Sequence, residues 1–186
     1  MDANDRRKKS VLSQINWKWV CTITVLSFLI SVSMSYISSE ALGNVGNILA
    51  FVILFIFIAI GILFDIIGMA ATSATEKEFH SMASRKVSGA KEAVWLSRNA
   101  SKVSSLCNDV VGDISGIISG ATGALIVTRL TSGMDILPAL LTSLTITGLI
   151  AALTIGGKAI GKGFGIGYSV KIVFAVGKIL SILPIR

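Results

Sequence analysis

The sequence contains little of what a soluble enzyme or a secreted scaffold requires. Only 15% of its 186 residues are charged, whereas 53% are hydrophobic, and soluble domains carry about 25% charged residues. Two cysteines cannot supply the framework of a disulfide-rich domain. The sequence has only two prolines but 18 glycines, a composition that suits long helices packed closely in lipid. The composition therefore predicts an integral membrane protein.

Four apolar segments are long enough to cross a bilayer, at residues 17–39, 48–67, 107–128 and 136–155. About 20 helical residues span a hydrocarbon core of about 30 Å. The first segment follows a basic stretch, but it is long for the apolar part of a signal peptide, and no small-residue cleavage site follows it. We therefore predict an all-α membrane protein with four transmembrane helices.

The remaining segments are polar or amphipathic. Residues 1–16 form a basic tail, and residues 37–47 are expected to be a short loop. Residues 71–106 carry apolar side chains at helical spacing, and Gly89 is expected to separate two short juxtamembrane helices there. The fourth span is followed by a glycine-rich stretch, and residues 168–183 are expected to form a C-terminal interfacial helix.

The basic residues lie on one side of this arrangement. With the N-terminus inside, 16 of the 17 lysines and arginines fall in residues 1–19, 71–106 and 156–186, and only Arg129 lies outside. Cytoplasmic segments of membrane proteins carry such an excess. We therefore expect a multi-pass protein of the plasma (inner) membrane with both termini in the cytoplasm. The net charge of +7 then needs no nucleic acid as a partner.

The residue patterns of an enzyme are missing from the sequence. His80 is the only histidine, and a lone histidine is more often a surface residue than a metal ligand. Cys21 and Cys107 have no base nearby in the sequence. Residues 156–163 imitate a phosphate-binding loop, but Gly163 stands where a Ser or Thr would hold Mg²⁺. We expect no catalytic residues and no firmly bound cofactor.

Oxygen-bearing side chains cluster at one membrane depth. Asp65 lies near the end of the second span, and Asn108, Asp109 and Asp113 lie near the start of the third, which runs in the opposite direction. A carboxylate in a span costs at least ~2.5–3.5 kcal/mol on insertion scales, so it indicates a partner or a function. These side chains are suitable ligands for a hard divalent cation such as Mg²⁺. We therefore predict a cation site at the inner leaflet.

Two other interpretations fit the same residues. Lys158 and Lys162 lie near the inner end of the fourth span and can pair with these acids, as counter-charges in a transporter or as a structural network. Asp109 is also placed to cap the start of the third span. The sequence alone leaves these alternatives open.

Small residues at a spacing of four predict close helix packing. In the first span these are serines, at positions 27, 31 and 35, and in the third span they are glycines. A GxxxGxxxG ridge brings helix backbones into contact. We expect such faces to pack helices within the chain or to form a homodimer; the glycines are Gly112, Gly116 and Gly120.

Four short stretches carry a family resemblance, by their order and spacing more than by identity. They are Phe64–Ala70, Gly89–Ala93, Gly112-Asp113 and Gly157–Lys162. In this order they resemble the transmembrane module of the CNNM/CorB/CorC magnesium and cobalt transport proteins, across about residues 48–183. The resemblance implies a transporter of Mg²⁺ or Co²⁺ that works by alternating access, with cation ligands at positions 65, 108 and 113.

The chain also departs from that family. Asp65 stands in place of a Ser, Gly68 and Lys158 in place of Glu, and Gly161 in place of Pro. Compared with the family, the first span is expected to be an addition, and the chain is expected to lack the paired nucleotide-sensing CBS domains. These departures favour an alternative function, a non-transporting scaffold or regulatory subunit that keeps the fold.

Overall fold

A computed structural model describes residues 16–43 and 45–182 of the chain. Within these residues there is no strand, and the helices are α1 (Trp17–Gly43), α2 (Asn47–Ser73), α3 (Glu76–Ser84), α4 (Ala90–Arg98), α5 (Ala100–Thr131), α6 (Ile136–Gly167) and α7 (Ser169–Ile182). Most of the basic tail predicted at residues 1–16, including its run of four basic residues, lies outside the described residues.

Four of these helices are long and apolar enough to cross a membrane: α1, α2, α5 and α6. The prediction of an all-α chain with four such helices is therefore confirmed by length and composition. Helix α6 has 32 residues, which corresponds to about 48 Å at the α-helical rise. A hydrocarbon core of about 30 Å cannot contain all of it, so part of α6 must project beyond the core.

The helices extend further than the predicted spans. Helix α1 continues to Gly43 through most of the segment expected to be a loop, and α6 continues through the glycine-rich stretch to Gly167. Glycine inside a helix costs about 1 kcal/mol relative to alanine. Tertiary contacts offset that cost here, because three of these glycines lie directly against α2.

The short helices α3, α4 and α7 pack together at one end of the bundle, which we call the basic end. Its core includes Phe79, Leu96 and Val173, and it also contacts the last turns of α2. Gly89 lies between α3 and α4, immediately before Ala90, and it has a φ of 86°. A Cβ at Gly89 would lie 2.6 Å from the Cα of Lys178 in α7. Only glycine permits both this backbone conformation and this close approach.

Helix α1 contacts the other helices mainly through one face, which packs apolar side chains such as Ile30 against α5 and α2. Near one end of α1, Lys102 of α5 lies over the ring of Trp19, with 5.4 Å between Nζ and the ring centroid. At the other end, Arg129 of α5 donates hydrogen bonds to the carbonyl oxygens of Leu42, at 2.7 Å, and Val45, at 3.0 Å. Helix α1 is therefore held at both ends by cationic side chains of α5.

Candidate ion-pair and cation site

A buried carboxylate and an ammonium group meet where α2, α5 and α6 converge. Asp65 of α2 is only 5% exposed. The Nζ of Lys158, on α6, lies 3.3 Å from its Oδ2 atom and donates a longer hydrogen bond, of 3.4 Å, to the carbonyl oxygen of Gly112 on α5. The predicted pairing of Lys158 with one of the acids is therefore present in the structure.

Small residues create the space for this pair. A Cβ at Gly112 would lie 2.7 Å from Oδ1 of Asp65, and a Cβ at Gly61 would lie 3.2 Å from the Cβ of Ser115. A Cβ at Gly112 would require a shift of the Asp65 carboxylate, and a Cβ at Gly61 would make a tight contact with Ser115. Glycine at these positions therefore lets α5 approach α2 closely enough for the polar groups to meet.

The glycine-rich stretch of α6 brings Lys158 to α2. A Cβ at Gly161 would lie 2.9 Å from the Cγ1 of Ile66, and a Cβ at Gly165 would lie 2.9 Å from the carbonyl oxygen of the same residue. Gly157 likewise lies against Ile62. These glycines form a ridge at a spacing of four, a glycine pattern that was predicted only for α5. The signal was present, but it stood in a stretch interpreted as lying beyond the fourth span.

The ridge predicted in α5 is only partly used within the chain. Gly112 packs against Asp65, but a Cβ at Gly116 or Gly120 would meet nothing within 4 Å. The buried face of α5 combines aliphatic side chains, such as Ile118, with small polar ones, among them Ser119 and Thr122, each 1% exposed. The small polar side chains also permit close packing, and the face turned inward is not the one that carries Gly116 and Gly120.

The start of α5 contains a π-helical segment, Ser105–Gly112. Within it, Asn108 donates a hydrogen bond from Nδ2 to Oγ of Ser104 at 3.1 Å. Its Oδ1 atom is buried and has no hydrogen-bond partner among the described residues. A Cβ at Gly68 would overlap this oxygen. Gly68 lies one helical turn from Asp65 on α2, so an unpaired amide oxygen lies close to the ion pair.

The other predicted ligands point elsewhere. Asp109 and Asp113 are exposed, and so is Lys162. Across the residues that the structure describes, no group of three or more His, Cys, Asp or Glu side chains is arranged to hold a metal ion. The structure thus places Asp65 and Asn108 in the contact between α2 and α5, about one helical turn apart, and it places Asp109 and Asp113 outside this contact. A cation site built from all four residues stays a prediction.

A second charged cluster lies on the surface of the basic end. Glu76 accepts hydrogen bonds from Nε of Arg98, at 2.5 Å, and from Nε2 of His80, at 2.7 Å, where the proton lies on that nitrogen. The hydrogen bond from Arg98, and to a smaller extent the one from His80, lower the pKa of Glu76 from its ordinary value of 4.5. All three side chains are substantially exposed. The cluster links α3 to α4, and His80 belongs to a surface network.

The fold defines a class of protein before it defines a function. Four helices of this length and apolarity are compatible with a multi-pass integral membrane protein. Comparisons with protein-family models, with curated proteins and with solved structures gave no match. The resemblance to the CNNM/CorB/CorC module is therefore supported by the motifs alone.

Proposed function

We propose that this protein is a membrane cation transporter, or a transporter-like protein, with its cation site centred on Asp65 and with Lys158 as the counter-charge. The observation that carries this proposal is the buried Asp65–Lys158 pair. Ionisable groups inside membrane bundles are costly and typically mark ion pathways. The nature of the ion, Mg²⁺ or Co²⁺, comes from the family resemblance.

Competition between Lys158 and a cation provides the chemistry of the site. Asp65 and Lys158 form an ion pair, so a cation that binds Asp65 must displace the ammonium group. Lys158 has a flexible four-carbon stem and already contacts a second acceptor, the carbonyl oxygen of Gly112. Asn108 Oδ1 has no partner, and amide oxygens are ligands for hard cations. Movement of Lys158 would thus open the site, and its return would expel the ion.

The alternative function is a non-transporting scaffold or regulatory subunit. One observation favours it: Lys158 supplies Asp65 with a charge partner from within the chain. A buried ion pair can also serve to fix the alignment of helices. In this case the pair holds α2, α5 and α6 together and nothing is transported.

Thermal unfolding of the purified protein with millimolar Mg²⁺, Mn²⁺ and Co²⁺ distinguishes these functions. A ligand at 100 times its Kd stabilises the folded state by about 2.7 kcal/mol. We expect this shift in the wild type and its loss in Asp65→Asn, whereas Asp113→Asn, a matched change at an exposed position, keeps it. Lys158→Met removes the competitor, so it is expected to lower the cation concentration needed. A wild-type protein that no cation stabilises would support the scaffold.

The expected partners follow from the same architecture. The lipid bilayer, proposed to be the plasma membrane with both termini in the cytoplasm, covers the apolar faces of α1 and α6. Gly116 and Gly120 have open space beside them, which makes their face the proposed homodimer contact. Cross-linking of single cysteines on this face in membranes tests the dimer, and Gly120→Leu is expected to abolish the cross-link.

A further inference from the structure

The π-helical segment of α5 determines which polar residue faces α2. In a π-helix each turn closes with an i→i+5 hydrogen bond, whereas an α-helix closes with i→i+4. One turn before Asp113 is therefore Asn108 in the π register and Asp109 in the α register. The structure shows the π register, with Asn108 against Gly68 and Asp109 exposed.

We propose that Ser105–Gly112 switches between the π and α registers, and that the α register carries Asp109 to the position against Gly68 that Asn108 now holds. The extra residue of the π segment would then be absorbed at the Asn99 turn, where α4 ends and α5 begins. This replaces a neutral amide near Asp65 with a carboxylate. The proposal rests on the proposed function for its driving force, which is a cation between the two carboxylates.

The contacts around the segment fit two states. In the π register the Oδ1 atom of Asn108 is buried without a partner, which costs free energy, and Asp109 forms no ion pair within the described residues. In the α register without a cation, the carboxylates of Asp109 and Asp65 would repel each other. The π register is therefore the resting state, and a cation that both carboxylates bind shifts the balance to the α register.

A native thiol reports the register. Cys107 is 6% exposed, and the preceding residue, Leu106, is 38% exposed. When the segment changes from the π to the α register and Asp113 stays in place, each residue up to Asp109 moves into the position that the preceding residue held. Cys107 then moves to the more exposed position of Leu106. The chain has only one other cysteine, Cys21, so Cys21→Ser leaves Cys107 as the sole reporter.

Two deletions calibrate the reporter. Deleting Leu106 removes the extra residue before Cys107, which fixes the α register with Asp109 one turn from Asp113. Deleting Val111 removes the extra residue after Cys107 instead, so that Asn108 and Cys107 keep their present positions. In the Cys21→Ser protein, N-ethylmaleimide should label Cys107 rapidly in the Leu106 deletion and slowly in the Val111 deletion.

The experiment measures Cys107 labelling in the full-length Cys21→Ser protein with and without Mg²⁺ or Mn²⁺. We expect the cation to move the rate from that of the Val111 deletion towards that of the Leu106 deletion. Asp109→Asn should abolish this change, and Asp113→Asn should keep it. Without any cation, Asp65→Asn removes the repulsion and should itself raise the labelling rate, and adding the Val111 deletion should reverse that rise.

The possible outcomes separate the register switch from the proposed function. A cation that raises the Tm without changing Cys107 labelling would overturn the switch and leave the cation site intact. If no cation changes either quantity, the cation site fails, and the metal-free Asp65→Asn protein decides the switch. Slow labelling of that variant would overturn the switch, and this comparison does not depend on the folding of either deletion.

Discussion

The Asp65–Lys158 pair leads to a prediction about stability. At the observed 3.3 Å, two unit charges attract each other by about 5 kcal/mol with an effective dielectric constant of about 20. Removing both charges from water costs several kcal/mol per ion, so the intact pair contributes little net stability. Lys158→Met, however, leaves the carboxylate of Asp65 buried without its partner and is expected to destabilise the protein by about 3 kcal/mol.

The double variant isolates the coupling between the two charges. Asp65→Asn combined with Lys158→Met removes both charges. The free energy of unfolding of this double variant is expected to lie within about 1 kcal/mol of the wild-type value, which gives a coupling energy of at least ~2 kcal/mol. Lys162→Met is the matched control, because Lys162 lies one turn further along α6 and is exposed. This control should change stability by no more than ~0.5 kcal/mol.

Unfolding in detergent micelles, followed by tryptophan fluorescence, measures the wild type, both single variants, the double variant and Lys162→Met under one condition. A Lys158→Met variant that loses no more stability than Lys162→Met would contradict a buried ion pair. So would a double variant whose cost is the sum of the two single costs, because independent costs mean that the charges do not interact.

Three further changes test other contacts by the same unfolding assay. Gly165→Ala places a Cβ 2.9 Å from a backbone oxygen of α2 and should cost ~1–3 kcal/mol, whereas Gly163→Ala, which meets nothing within 4 Å, should be neutral or slightly stabilising; equal effects would contradict the packing. Arg129→Met removes two hydrogen bonds to main-chain carbonyls and should cost ~1.5–3 kcal/mol; an unchanged Tm would contradict this. The pKa of Glu76 is lower in the folded protein, so its contribution is present above the unfolded value and is lost as pH falls through the folded value; Arg98→Gln should reduce the loss of Tm between pH 5 and pH 3 (approximate limits set by the ordinary pKa of a Glu), and an unchanged pH profile would contradict it.

Local patterns were sufficient to predict much of the fold. The long apolar runs predicted the four long helices, because hydropathy over 20 residues is a property of the sequence itself. Gly89 could be recognised as a break because apolar residues recur at helical spacing on both sides of it. The course of residues 156–167 could not be predicted in this way. Glycine disfavours helix locally, and the side chains that offset this cost, Ile62, Ile66 and Met69, lie about 100 residues earlier in the chain.

The sequence predicted how deep in the membrane the candidate site lies, but it did not predict which face of α5 forms it. Antiparallel spans place Asp65 near Asp109 and Asp113 along the membrane normal, and this can be counted from the sequence. Which face of α5 meets α2 depends on the π-helical segment, and no local pattern of residues announces it. The sequence therefore offered the pairing with Lys158 only as an alternative, and it could not separate Asn108 from Asp109.

Arg129 has a consequence for how the protein enters its membrane. By the predicted topology, Arg129 is the only one of the 17 lysines and arginines whose charge must cross to the far side during insertion. An Arg at the centre of a transmembrane helix costs ~2.5–3.5 kcal/mol on insertion scales. In the folded protein the same group donates hydrogen bonds to the carbonyl oxygens of Leu42 and Val45. Biogenesis and final stability therefore place opposite demands on this residue: a neutral replacement would be translocated more easily, and it would leave the end of α1 less firmly attached.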